Sequence, residues 1–332
     1  MTRSSPHSRF CLLTYPRTGS NLLIKILNLD DQPDLASCND GGYFFAPLNH
    51  LRYDMGITGA HIGDLTSDQH VKETACIHNC VQALTRYIHN AENQDKKTLF
   101  KEHTHILTNP VAQTRFIFGT DSIKESFPSQ WGKDQSPYNE TLLPDNFLNT
   151  LKPTFLIRHP ALAFPSYYRA ARKADGDQYL HSEQGKRMCQ NIMTLRWSRQ
   201  LYRFYARQFN ATDNSVEIES EWPLVLDADD IMTKPAVVTR FCGILGLDTT
   251  QLRYEWDTDE RKRRPGIMAF RSTIDRSTGI DASKASGGRV DLDESARRWR
   301  EEFGEGPGKM IEMYVREAMA DYEFLKERRL RA

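Results

Sequence analysis

The chain has 332 residues, enough to bury one large core or two modest ones. Its 44 basic and 44 acidic residues cancel, so composition gives no field that would argue for nucleic acid. No run approaches the roughly 20 apolar residues that a membrane helix needs. The polar start at residues 1–9 and the short apolar run behind it do not read as a signal peptide, so a soluble, cytoplasmic protein is expected. Six scattered cysteines fit reduced, mostly buried thiols.

Residues 10–13, Phe-Cys-Leu-Leu, are short and apolar enough for a buried parallel strand. Leu22, Leu23, Ile26, Leu27 and Leu29 then fall on one side of a helix. Between them Pro16-Arg-Thr-Gly-Ser20 must turn sharply, and Gly19 supplies backbone angles closed to other residues. Strand, tight turn and helix start leave several unpaired N–H groups around one point, which makes an anion cradle. The triphosphate loop G-x-x-x-x-G-K-[ST] is not met: Thr14, Ser20 and Asn21 stand at its first glycine, its lysine and its hydroxyl position.

Residues 30–65 show no sustained period and read as an irregular, surface-building segment. Residues 67–92 read as a helix; Cys76 and Cys80 within it, with His78 between, are expected to pack rather than bind metal. Residues 98–107 read as the second strand and its exit. Lys101 and His103, two apart, share a face there, and His105 joins them if the strand continues. Residues 109–147, with Trp131 and Tyr138, read as a loop-rich lid or acceptor-pocket element.

Residues 153–157 are the third strand, followed by Arg158-His-Pro160 and a helix over 161–174 that carries Ser166. Residues 182–209 read as one long helix whose arginines 196, 199, 203 and 207 form a solvated face. A fourth strand at 223–226 leads into Asp227-Ala-Asp-Asp230 and a helix over 235–245 ended by Gly246. The basic run Arg261-Lys-Arg-Arg264 reads as solvated, residues 274–288 as a mobile loop, and the chain is helical from Leu292.

Strands separated by helices imply an α/β architecture: a central, mostly parallel sheet with helices on both faces, giving three layers. No repeat or long linker divides the chain, so residues 1–332 are expected to form a single domain. Its core would be 10–250, with the C-terminal loop and helices of 255–330 covering the site.

Three motifs, in order, resemble those of the PAPS-dependent sulfotransferases, whose fold is related to that of P-loop NTPases. Tyr15-Pro-Arg-Thr-Gly-Ser-Asn-Leu22 resembles the loop that grips the 5′-phosphosulfate, which makes Arg17, Thr18, Gly19, Ser20 and Asn21 its candidate ligands. Lys101-Glu-His103 is similar to the family's Lys-x-His at a strand end, implying His103 as general base, with His105 the runner-up. Arg158 with Ser166 eight residues later matches the pair that binds the 3′-phosphate. The resemblance implies in-line transfer of a sulfuryl group from PAPS to a hydroxyl of a small organic acceptor, leaving PAP and needing no metal. Arg17 and Lys101 would stabilise the transferring charge.

Departures are visible. Arg17 stands where many members have lysine, Asp227 where many have tyrosine, and the C-terminal Arg-Lys-Gly loop is absent. Ser277, Thr278, Gly279, Lys284 and Arg289 are the candidates to supply equivalent phosphate contacts. Alternatives stay open: sulfation that creates a leaving group for elimination or cyclisation, a nucleotide kinase, or a non-catalytic nucleotide-binding protein on the same scaffold. A homodimer is left open, and the sequence names no acceptor.

Overall fold

Because three of the four strands are largely apolar on both faces, the sheet belongs in the middle of the molecule. Strands β1 (Arg9–Thr14), β2 (Thr98–His103), β3 (Lys152–Ile157) and β4 (Leu224–Asp227) form one parallel sheet. Their order is β2-β1-β3-β4, with Cys11 opposite both Phe100 and Pro153. The computed structural model describes residues 7–38, 41–123, 135–211, 221–262, 265–288 and 290–332.

The helices are α1 (Ser20–Leu27), α2 (Ala46–Asp54), α3 (Ser67–Glu92), α4 (Thr104–Leu107), α5 (Pro110–Phe118), α6 (Asp145–Leu148) and α7 (Pro160–His181). They continue as α8 (Glu183–Ile192), α9 (Arg196–Ala211), α10 (Ala228–Thr233), α11 (Pro235–Leu245), α12 (Pro265–Asp275), α13 (Leu292–Phe303) and α14 (Glu305–Glu327).

Period-2 alternation sends Cys11, Leu13, Phe100, Phe155 and Val225 to one face of the sheet, where α3, α7, α8, α9, α13 and α14 cover them. Phe10, Leu12, Leu99, Leu156 and Leu226 go to the other face, under α1 and α11. Phe155 is wholly buried in the first layer; cutting it to alanine would cost about 3–5 kcal/mol. No helix among the described residues is long and apolar enough to cross a membrane.

Several expectations need correction. The helix expected over 182–209 is two, α8 and α9, separated at residues 193–195. Serine caps α8: Ser182 Oγ accepts from Gly185 N. The arginine face of α9 is solvated only in part: Arg203 and Arg207 are exposed, while the others find partners. Arg196 makes two hydrogen bonds to Glu140, Arg199 pairs with Asp321 and lies over Phe324, and Arg207 lies over Tyr138. Residues 30–65 include α2, and α12 occupies a stretch for which no helix was expected. The helix after β3 runs on to His181, bent where Gly176 takes φ 81. Strand β2 stops at His103, so His105 lies on α4 rather than on the strand.

Strand order reverses between β1 and β3, and ligand crevices in open α/β sheets lie outside the strand ends at such a point. The loops after β1 and β3 flank that crevice, and the end of β2 lies beside it.

Candidate active site

The loop after β1 is fastened before it turns. Tyr15, almost fully buried, accepts a hydrogen bond from Arg158 N at 2.9 Å and donates to Arg158 O, so the β1 and β3 exits are tied through one phenol. Thr18 Oγ1 donates back to Tyr15 O at 3.1 Å, closing the turn. Gly19 takes φ 81, as expected, but Arg17 is left-handed too, at φ 71. A non-glycine residue held there costs about 1–3 kcal/mol and marks a place where neighbours over-determine the backbone. Gly19 provides no side-chain cap for α1, and the first backbone bond there is Leu23 N to Gly19 O. A helix start of this kind leaves its first N–H groups without partners inside the helix, which is what an anion cradle requires.

Two guanidiniums flank this loop. Arg17 donates from Nε to Ser166 Oγ at 2.9 Å and from Nη1 to Phe270 O of α12. Arg158 donates from Nη1 to Arg17 O at 3.0 Å and from Nη2 to Lys284 O at 2.8 Å. Its Nε is buried without a partner. Neither arginine has a carboxylate within ion-pair distance among the described residues. Burial lowers the pKa of both; Arg158 and Arg169 add to this at Arg17, while Tyr15, Asp229 and Asp227 oppose it at Arg158. Ser166, expected to join Arg158 at the 3′-phosphate, accepts from Arg17 here.

At the end of β2, Lys101 is wholly buried and donates from Nζ to Asn21 Oδ1. Arg271 of α12 reaches the same oxygen from Nη1 at 3.2 Å, so two cations converge on one neutral amide. His103 Nδ1 lies 2.7 Å from Thr14 Oγ1, and Nε2 lies 3.2 Å from Tyr43 Oη. Thr14 has one proton, and Glu102 O accepts it at 3.3 Å. Its oxygen can then accept from Nδ1–H, an assignment that leaves the lone pair on Nε2. His105 stacks on His103 with centroids 5.6 Å apart.

Burial drives the imidazoles neutral. His103 is held well below its usual range, with His105 and Lys101 adding to the effect, and His105 falls to about 3. Between Lys101 and His103, the wholly buried Glu102 is raised by the same desolvation to about 8, although the Phe45 and Phe44 N–H groups pull it back.

A cavity of about 770 Å³ joins these groups. Residues 16–22, His103, His105, Arg158, Arg271 and Lys284 line it, and its walls continue through Tyr43, His50, Tyr53, Ile106, Tyr167, Met188 and Ile192. Sequence reasoning missed Tyr43, Glu102 and Arg271. The doublet Gly41-Gly42 was the available signal for Tyr43, since both glycines and Tyr43 itself take positive φ. Nothing in the sequence announced Arg271.

The other candidates are engaged in contacts of their own, although Ser277, Gly279 and Lys284 also line the cavity. Ser277 Oγ accepts from Trp256 Nε1, Arg261 pairs with Asp259, and Lys284 presents its carbonyl to Arg158 while its ammonium pairs with Asp281. Asp227 accepts from Tyr322 Oη at 2.9 Å and caps α10. Trp131, Arg263, Arg264 and Arg289 lie outside the described residues.

No family model matches the chain. "Sulfotransferase ppzF" of Metarhizium rileyi (strain RCEF 4871) is 41% identical to it over 332 residues, covering 98% of this chain and 96% of that protein. The protein of the same name from Metarhizium majus (strain ARSEF 297) is 42% identical over 335 residues, covering 98% and 97%. The chain belongs to the sulfotransferases. Among solved structures, the sulfotransferase domain from the Synechococcus PCC 7002 olefin synthase matches over 90% of this sulfotransferase and 95% of that chain. Its identity of 13% and TM-score of 0.35 leave the family assignment resting on the sequence relatives.

Proposed function

We propose that this sulfotransferase moves a sulfuryl group from PAPS to a hydroxyl of a small organic acceptor by in-line displacement. The observation that carries the reading is the pair Arg17 and Arg158, two half-buried guanidiniums with no carboxylate partner among the described residues, on either side of a helix start without a side-chain cap. Permanently charged planar donors satisfied only by neutral oxygens suit phosphate, and the orphaned Arg158 Nε is a donor that still needs an acceptor. On that ground the residues fit PAPS. The loop 17–21 holds the 5′-phosphosulfate and Arg158 the 3′-phosphate, with Ser166 orienting Arg17. Lys101 and Arg17 stabilise charge on the transferring group and the departing phosphate oxygen. His103, neutral and with its lone pair on Nε2, is the base. The acceptor oxygen bonds to sulfur as the sulfur–oxygen bond to the nucleotide breaks, and PAP departs with that electron pair.

Calorimetric titration with PAP and, separately, with ATP–magnesium tests the reading. Tight PAP binding with weaker ATP–magnesium binding is expected; the reverse order would sink it. The mass of the product formed from PAPS and an acceptor then separates stable transfer from sulfation that prepares a leaving group.

A further inference from the structure

Tyr43 stands on the nitrogen that a base must use. Its hydroxyl is 3.2 Å from His103 Nε2, while Nδ1 is taken by Thr14. Its ring lies beneath Lys101 Nζ, 4.7 Å from the centroid, and it lines the same cavity as the phosphosulfate loop. The residue is held in place at a cost. A φ of 85 is an outlier for a bulky side chain, and it persists because Tyr43 N donates to Lys101 O at 2.9 Å. Gly42 makes that approach possible: at φ 113, a Cβ on it would lie 2.7 Å from Lys101 N. Two backbone devices thus keep a strained tyrosine against β2, where its phenol touches both groups of the Lys-x-His motif. A tyrosine that merely filled space would need neither.

We propose that Tyr43 is a catalytic residue that passes the acceptor's proton to His103. The proposal rests on the sulfotransfer reading above. As the acceptor oxygen bonds to sulfur, its proton moves to Tyr43 Oη and the phenol's own proton moves to His103 Nε2. The sulfur–oxygen bond to the nucleotide breaks and its electron pair leaves on the phosphate. Tyr43 ends as it began, neutral, and His103 ends as imidazolium. Burial pushes the Tyr43 phenol up to about 12, which disfavours a free phenolate and requires the two proton movements to be concerted. Lys101 over the ring face stabilises the electron density that builds there during the transfer.

The test compares wild type, Tyr43→Phe and Gly42→Ala with two acceptors, para-cresol and para-nitrophenol, at mildly alkaline pH. Para-cresol arrives protonated there; para-nitrophenol arrives largely ionised and needs no proton taken. With para-cresol, Tyr43→Phe should lower kcat about 100-fold or more, and with para-nitrophenol by less than about 5-fold, with KM for PAPS unchanged in both. Gly42→Ala, which pushes the loop off β2 and leaves the phenol intact, should show the same dependence on acceptor acidity. PAP affinity equal to wild type shows that the variants are folded at the site. Unchanged kcat with para-cresol, or equal losses with both acceptors, overturns the relay. So does a wild type that binds PAP and sulfates neither phenol, because a phenol is the simplest hydroxyl the relay would have to serve. Failure of the wild type to bind PAP sinks the sulfotransfer reading instead.

Discussion

At the crevice between β1 and β3, burial acts on groups that cannot give up their charge; at the end of β2, it acts on groups that can. Arg17 and Arg158 keep their protons whatever their surroundings. Their guanidiniums donate to Ser166, Phe270 O, Arg17 O and Lys284 O, Arg158 Nε is left without a partner, and their net charge remains available to an anion. His103, His105 and Glu102, under similar desolvation, shift toward their neutral forms. One cavity therefore has a side suited to holding phosphates and a side suited to moving protons. The difference follows from residue type rather than from depth.

The largest effect should come from removing the proton-handling side. His103→Ala is expected to lower turnover about 10²- to 10⁴-fold while PAP affinity stays put, measured by aryl sulfate formation and calorimetry. A matching loss of PAP affinity would mean that the two sides are not separable. On the charged side, Arg158→Ala should weaken PAP binding by about 2–5 kcal/mol. It should barely change the binding of adenosine 5′-phosphate, which lacks the 3′-phosphate; equal losses with both nucleotides would move Arg158 to another part of the ligand. Arg17→Lys keeps the charge but cannot hold Ser166 and Phe270 O together, so PAP affinity should fall by about 1–2 kcal/mol. No change would show that charge alone matters there.

The smallest effect is on stability against pH. His103, His105 at about 3 and His159 at about 4 are held below their unfolded values. Their contribution is fully present above about pH 6.5 and is lost as pH falls below it. Glu102, raised to about 8, and Asp227, raised to about 6, act in the opposite sense, present in acid and lost as pH rises through those values. Three imidazoles outweigh two carboxyls on the acid side and only Glu102 acts above them. The thermal midpoint should therefore peak at about pH 6.5–7. A midpoint that keeps rising below about pH 5 would contradict the neutral imidazoles.

Much of this was readable in the chain because strand, turn and helix are local. The apolar runs placed β1, β3 and β4 to within a residue, β2 was read four residues too long at its exit, and the helix 67–92 was placed to the residue. Lys101 and His103 announced themselves because a spacing of two puts side chains on one side of a strand, and both do meet Tyr43. What could not be read depends on contacts across the sequence. Tyr43 matters because a left-handed backbone brings it against β2, and Arg271 matters because α12 lands on Asn21. The spacing of Ser166 from Arg158 gave no sign that Ser166 also receives Arg17, because spacing along one helix does not say which neighbouring loop comes close. Arg196 and Arg199 of α9 looked solvated because Glu140 and Asp321, their partners, are far away in sequence.

The donors around the crevice join positions that are very distant along the chain. Arg17 meets a carbonyl 253 residues on, and Asn21 meets a guanidinium 250 residues on. Closing loops of that length comes late in folding, because their ordering entropy must be met before the contacts return anything. A refolding chain should thus acquire its central sheet before it acquires any affinity for nucleotide. In a stopped-flow refolding experiment, PAP binding should trail the recovery of secondary structure, which would make ligand affinity a readout of the final docking of the C-terminal segment.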